Sequence, residues 1–132
     1  MLGKSIASII VREKWHTITV MEETIKAYKK AAIAHGAGTV EGNSDMANHA
    51  YDELHRHLQA ISESKQDHLL ENLLTDDDVW VQLWSATHLL EINEPSATSK
   101  LQEIADASIL LASMNARYTL SEWKSGNILF RT

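Results

Sequence analysis

Several residue types that stabilise or shape small proteins are scarce in this sequence of 132 residues. It has no cysteine, one proline (Pro95) and only five glycines. The lack of cysteine excludes a disulfide framework, a thiolate nucleophile and a cysteine-based zinc site. A β-sandwich or β-barrel of this length needs far more turn residues, so the composition favours helices. Apolar residues at 44% and charged residues at 23% are ordinary for one globular domain.

Long apolar runs are also missing, and positive charge is sparse after the first 30 residues, which hold six basic residues against three acids. No run approaches the ~20 residues of a transmembrane helix, and the apolar stretch at residues 6–11 is shorter than a usual signal-peptide core. We therefore expect a cytoplasmic protein that does not bind membranes. The formal net charge is −6, and residues 66–116 carry nine acids against Lys100 alone. This acidic middle argues against nucleic acid and favours a basic protein partner, unless it is simply a solvated helix surface.

Helical spacing of apolar residues extends over most of the chain. It predicts helices over about residues 19–34, 65–74, 78–91 and 108–124, with further helices starting at Ser44 and near Pro95. The glycines at positions 36 and 38 are expected to end the first helix. The apolar residues of the last helix, which are expected to be buried, are Leu111, Met114, Tyr118, Leu120 and Trp123.

These elements predict an all-α fold of five or six helices, packed as antiparallel α-α hairpins. Residues 1–18 are rich in β-branched side chains without a clear period, so we expect a weakly structured arm there. The predicted organisation is this arm, a single helical domain over residues 19–128 and a tail at 129–132.

Residues 73–90, LLTDDDVWVQLWSATHLL, resemble one HEAT unit. In such units a leucine-rich helix leads through an acidic turn into a V-R-x-x-A-A-x-x-L helix. Gln82 stands where the arginine is usual, and Ser85 and Ala86 stand for the alanine pair. The resemblance implies a HEAT-like, right-handed stack in which each hairpin is buried against its neighbours.

Two further stretches resemble small bacterial proteins grouped as domain of unknown function 2019. Residues 42–54 match the pattern G-x-x-x-x-A-N-x-x-Y-D-x-[IL], and residues 118–126 are similar to the closing T-L-x-E-W-x-x-G. With the HEAT-like unit, the resemblance covers about residues 19–128. It implies an all-helical fold and transfers no catalytic residue.

Seven histidines raise the question of a metal site. The tightest group is His49, Glu53 and His57 along one helix, with His35 and His68 elsewhere in the chain. The two end histidines are about two turns, ~12 Å, apart, so one ion cannot easily take both. No HExxH motif is present. We expect a polar outer face there, and neither a metal nor another cofactor.

Asn48, Asp52 and His55 share one stripe of the second predicted helix. Asp52 could orient His55 as a general base, which makes a small hydrolytic or metal-binding domain the alternative function. The competing interpretation is structural, with Asn48 and Asp52 bonded to the loop at residues 38–42.

The acidic turn formed by Asp76, Asp77 and Asp78 leads directly to Trp80. Three adjacent carboxylates exceed what one helix cap needs, and tryptophan is a common interface anchor, although Trp80 could equally pack in the core. These four residues are the predicted partner-binding site of a non-enzymatic interaction module. An immunity or antitoxin role is expected by analogy only, and a second copy of the chain is an alternative partner.

Overall fold

The computed structural model describes the backbone of residues 5–127 and the side chains of residues 19–127. Over this range the chain is all-helical and has no strand, which confirms the predicted class and number of helices. The elements, in order, are α1 (Ser5–Glu41), α2 (Ser44–Glu63), the 3₁₀ helix η1 (Asp67–Thr75), α3 (Val79–Leu89), α4 (Glu94–Asp106) and α5 (Ala112–Lys124). None of these helices is long and apolar enough, within the residues described, to span a membrane.

Helix α1 continues through the glycines that were expected to end it. A Cβ atom at Gly36 would lie 2.2 Å from Cγ of Trp80, and one at Gly38 would lie 2.8 Å from the backbone nitrogen of Ala47. Both glycines therefore allow close packing, of the Trp80 ring at one and of α2 at the other. The prediction of a helix end at these positions is wrong because tertiary packing, and not backbone freedom, explains the glycines.

The start of α1 also differs from the expectation. The backbone of residues 5–18 forms the first part of α1, so the predicted boundary at residue 18 does not coincide with a helix start. β-Branched residues lower helix propensity only slightly, so they do not prevent a helix there. The side chains before residue 19, and the predicted tail at 129–132, lie outside the described residues. Whether residues 1–18 are dispensable for folding stays a prediction.

Helices α1 and α2 form a hairpin through a short turn at Gly42 and Asn43. The Asn43 side chain accepts a hydrogen bond from the Met46 amide at 3.0 Å and caps α2. The predicted cap, Ser44, is instead the first helical residue. Because α2 begins immediately after α1 ends, the two helices run antiparallel and pack along their lengths.

Helix α3 is the centre of the second half of the domain. It packs against η1, α4, α5 and α1, and this explains why nearly all of its side chains are buried. Helix α5 packs mainly on α4. The core contains the following fully buried side chains: Tyr28, Leu54, Ile61, Leu70, Val81, Leu83, Leu89, Leu90 and Leu101.

The later helix ends agree only in part with the prediction. Pro95 lies in the first turn of α4, as expected, but the Asn93 side chain does not cap that helix. Its amide instead donates to Glu71 Oε1 at 3.0 Å and connects η1 to the α3–α4 turn. Gly126, at φ +75°, follows the end of α5, as its lack of a Cβ predicts.

Candidate functional site

The acidic turn is largely explained by the local structure of α3. Asp78 caps the helix, and its Oδ1 accepts from the amides of Trp80 at 2.8 Å and Val81 at 3.2 Å. Asp77 is exposed, whereas Asp76 and Asp78 are partly buried. The surplus of carboxylates inferred from the sequence is therefore reduced to Asp77.

Asp76 connects the turn to α1. Its Oδ1 pairs with Lys29 Nζ at 2.7 Å, and its Oδ2 accepts from the Asp78 amide at 3.0 Å. Its backbone carbonyl accepts from Gln82 Nε2 at 2.6 Å. Burial raises the pKa of Asp76, but the hydrogen bonds and the charge of Lys29 outweigh burial and lower it overall. The negative charge of Asp76 is therefore already balanced within the fold by the positive charge of Lys29.

Trp80 is a core residue and not a surface anchor. Its side chain is 7% exposed and lies against α1 at Gly36. The assignment of Trp80 to partner binding is therefore wrong, and its alternative, core packing, is what the structure shows. The missing side chain at Gly36 provides the space for the indole ring.

The proposed polar site at Asn48, Asp52 and His55 is not assembled. Asn48 and Asp52 are exposed, and His55 is half-buried. The His55 Nδ1 atom lies 2.9 Å from the Tyr51 carbonyl oxygen, and its ring contacts those of Trp84 and His88. In the loop at residues 38–42, to which Asn48 and Asp52 were expected to bond, the Gly38 carbonyl accepts from the backbone amide of Asn43 at 2.8 Å. His55 therefore belongs to an aromatic group and does not form the predicted pair with Asp52.

That group, the aromatic–histidine cluster, joins α1, α2 and α3. Its members are Tyr28, His35, Tyr51, His55, Trp84 and His88. The Tyr28 hydroxyl lies 2.7 Å from His88 Nδ1, and Trp84 Nε1 donates to His35 Nδ1 at 3.3 Å. Several rings meet edge to face, an arrangement that stabilises aromatic packing.

The cluster holds its buried groups neutral. Burial raises the pKa of Tyr28, whereas burial and the nearby His55 lower the pKa of His88 to about 3. The same two causes lower the pKa of His35. The Tyr28 hydroxyl is thus the donor to His88. A base with so low a pKa is inefficient at neutral pH, so the cluster suits packing better than proton transfer.

The histidines considered as metal ligands lie in different environments. Glu53 pairs with Arg56 and lies 3.5 Å from His57, whereas His49 is exposed. The hydrogen bond from Arg56, together with neighbouring positive charges, lowers the pKa of Glu53 despite a small opposing effect of desolvation. Among residues 19–127 no group of three or more histidine or carboxylate side chains is arranged to hold an ion.

The turn between α4 and α5 has an unusual backbone. Ser108 and Leu111 have φ angles of +57° and +60°, although neither is a glycine. The Ala112 amide donates to the Leu110 carbonyl at 2.6 Å, across one residue, which makes Leu111 the centre of a strained γ-turn. Each such residue costs on the order of 1–3 kcal/mol.

Two side chains of α5 hold this turn in place. The Ser113 hydroxyl accepts from the Ile109 amide and donates to the Ile104 carbonyl, each at 2.7 Å. Arg117 Nη1 donates to the Ala105 carbonyl at 2.8 Å. The strained conformation is therefore fixed by specific hydrogen bonds between α4 and α5.

The turn and α5 expose a row of large apolar side chains, which we call the α5 stripe. It consists of Leu110, Met114 and Tyr118, which are 70%, 57% and 66% exposed. Met114 and Tyr118, four residues apart, lie on one face of α5, and Leu110 lies in the turn that precedes the helix. The sequence prediction that Met114 and Tyr118 are buried is wrong.

The buried face of α5 is made of smaller residues. Ala112, Ala116 and Leu120 contact the core, together with Ser113 and Thr119. These small side chains let α5 approach α4 closely. Their spacing, also of four residues, is the signal that sequence reasoning missed, because the larger side chains on the other face were taken for the core.

The comparisons with known proteins support the fold alone. No family model and no curated protein matches the chain. A solved structure, that of the protein RPA1889 from Rhodopseudomonas palustris CGA009, is similar with a TM-score of 0.75 at 14% sequence identity. The similarity covers 83% of this chain and 92% of that one. The likeness to domain of unknown function 2019 therefore stays a resemblance.

Proposed function

We propose that this chain is a non-enzymatic protein-interaction module and that the α5 stripe is its docking surface. The observation that carries the proposal is the exposure of three large apolar side chains, two on one face of α5 and one in the turn before it. Contiguous apolar surface of this kind marks interaction sites on monomeric proteins. The predicted interaction function is kept, but its site moves from the acidic turn to α5.

The strained turn gives the stripe a second, independent support. Backbone strain in an ordered protein is commonly found at functional sites. Here the γ-turn at Leu111 places its neighbour Leu110 among the most exposed apolar side chains of the described residues. The hydrogen bonds of Ser113 and Arg117 fix this presentation, so a partner meets a preorganised surface.

Arg117, the neighbour of Tyr118 in the chain, is engaged within the fold, because its guanidinium donates to the Ala105 carbonyl. The proposed contact is apolar, and it fits the apolar face of an amphipathic helix. The net charge of −6 favours basic residues around that face through steering. A role in masking a basic protein, as in immunity proteins or antitoxins, fits this chemistry.

The size of the stripe limits the strength of the contact. The three side chains expose on the order of 400 Å² of apolar surface, about half of what a standard interface buries on each partner. A partner helix has to reach neighbouring residues as well, and Ile109, at the start of the stripe, is also exposed.

The arrangement of the helices also supports the HEAT-like interpretation. Packing proceeds between chain neighbours, from η1 to α3, from α3 to α4 and from α4 to α5. In such stacks each hairpin is buried against its neighbours, and the α5 stripe lies on a surface that no helix of residues 5–127 covers.

A photo-crosslinking residue in place of Tyr118 tests the proposal. Tyr51 on α2, 46% exposed, is the matched control position. In the native cell we expect one discrete adduct from position 118, and we expect Leu110→Ser to abolish it. Adducts of equal yield from positions 118 and 51, or an adduct unaffected by Leu110→Ser, would overturn the proposal. Leu110 is exposed, so its substitution leaves the helical circular dichroism unchanged.

A further inference from the structure

Met114 is the most exposed of the methionines that the structure describes. It is 57% exposed, whereas Met21 is 7% exposed and Met46 is partly buried. In the sequence Met114 lies midway between Leu110 and Tyr118, the other two members of the α5 stripe. The central side chain of the proposed docking surface is therefore a thioether that small reagents in the solvent can reach.

Methionine provides all of the sulfur chemistry of this chain, because the chain has no cysteine. Hydrogen peroxide therefore meets no thiolate here, and its reaction with a thioether depends on the exposure of the sulfur. The sulfur of Met114 donates an electron pair to one oxygen of the peroxide, so an S–O bond forms and the O–O bond breaks. The leaving oxygen takes up the proton that the bound oxygen releases. The products are methionine sulfoxide and water, and the sulfur has lost two electrons.

The oxidised side chain is unsuited to an apolar contact. A sulfoxide is polar and accepts hydrogen bonds from water, so burying it against an apolar partner without such a bond costs free energy. We propose that peroxide oxidation of Met114 switches off docking at the α5 stripe, an inference that rests on the proposed function. After oxidation the stripe has a polar group between Leu110 and Tyr118.

The fold of α5 tolerates this change. Ala112, Ala116 and Leu120 hold the helix on the core, and Met114 lies on its exposed side. Oxidation thus alters the surface and leaves the helix folded. Methionine sulfoxide is reduced to methionine by two reductases, one for each epimer. The exposure that admits peroxide also admits a reductase, so the modification is reversible.

The site of oxidation is measured first, on the purified full-length protein. Samples taken during treatment with hydrogen peroxide are digested and analysed by mass spectrometry, and far-ultraviolet circular dichroism monitors the helices. We expect Met114 to oxidise at least about tenfold faster than Met21, the buried reference, with an unchanged spectrum. Equal rates at the two methionines, or a helical signal that is lost in step with Met114 oxidation, would overturn the proposal.

The effect on docking is measured with the photo-crosslinking residue at position 118. The oxidised protein is freed of peroxide with catalase, mixed with a desalted lysate of the native cell and irradiated. Desalting removes the reductant that the sulfoxide reductases need. We expect the adduct yield to fall at least about fivefold relative to the unoxidised protein, and we expect treatment with both reductases before mixing to restore it.

Two variants assign this loss to one sulfur. In Met114→Leu the yields before and after peroxide treatment are compared within the variant, and we expect no fall. Met46→Leu, which lacks the partly buried thioether of α2, is the matched control and should respond as the wild type does.

Failure of this inference is distinguishable from failure of the proposed function. An adduct that survives oxidation of Met114, a loss that the reductases do not reverse, or an equal loss in Met114→Leu would overturn the switch and leave the α5 stripe as a docking surface. The absence of an adduct from the unoxidised protein would overturn both.

Discussion

Mild acid should destabilise this protein through His88, which is buried in the aromatic–histidine cluster. Burial and the neighbouring His55 lower the pKa of His88 to about 3 in the folded chain. In the unfolded chain a histidine titrates near pH 6.5. Between these two values the unfolded chain binds a proton that the folded chain does not.

The sign and size of the effect follow from linkage. The free energy of unfolding rises with pH wherever the unfolded state binds more protons, so this contribution is complete above about pH 6.5 and is lost as the pH falls. At pH 5, about 1.5 units lower, His88 alone costs about 2 kcal/mol at ~1.36 kcal/mol per unit. His35, whose pKa is also lowered, adds to the loss. Carboxylates contribute little because the unfolded groups titrate near pH 4.

Urea unfolding at pH 7, 6 and 5, followed by tryptophan fluorescence, measures this loss. His88→Gln is the control because glutamine still offers an acceptor to the Tyr28 hydroxyl but does not titrate. We expect the wild type to lose about 2 kcal/mol or more between pH 7 and 5, and the variant to lose about 2 kcal/mol less than the wild type. Equal losses in the two proteins would refute the assignment of the effect to His88.

Three further predictions concern packing and capping, and each is measured by urea unfolding at pH 7. Gly36→Ala should destabilise the fold by about 1–3 kcal/mol, because the new methyl group meets the Trp80 ring. Alanine has the higher helix propensity, so a substitution without this contact would stabilise the helix. An unchanged or raised stability would therefore contradict this packing. Asp78→Ala should lower the free energy of unfolding by about 0.5–2 kcal/mol, because it removes the cap of α3. Asp77→Ala, at an exposed position, should change it by less than ~0.5 kcal/mol. Similar effects of the two substitutions would show that capping is not the cause. Tyr28→Phe should cost about 1–3 kcal/mol because it removes the hydrogen bond to His88, and a neutral outcome would indicate that another group replaces the hydroxyl.

The features of the fold that depend on neighbouring residues, such as helices, caps and helix ends, could be predicted from the sequence. Helical periodicity identified the helical class and most of the elements, and Pro95 and Gly126 marked a helix start and end correctly. The acidic turn was associated with a helix cap, and the capping residue is Asp78, whose hydrogen bonds reach amides only two and three positions away. Such features are short-range, so a single sequence contains the information that determines them.

The arrangement around α1 and α3 could not be predicted in the same way. Gly36 packs on Trp80, Lys29 pairs with Asp76, and Tyr28 bonds to His88 across 60 residues. Each contact joins residues far apart in the sequence, and the local signal at Gly36 suggested a helix end instead. Tertiary packing decided these positions, and of the predicted acidic site it buries Trp80 and pairs Asp76 with Lys29.

The same packing explains why the exposed apolar residues are informative. Trp80 is large and apolar, and the fold buries it by placing a glycine opposite. Met114 and Tyr118 are also large and mainly apolar, but α5 places Ala112 and Ala116 in the core instead. A helix rotated to bury the larger pair would have lost the hydrogen bonds that Ser113 makes with Ile104 of α4 and with Ile109 of the turn. Since those bonds hold a strained turn that exposes Leu110, the orientation of α5 is specifically maintained, which supports the docking role proposed for its apolar surface.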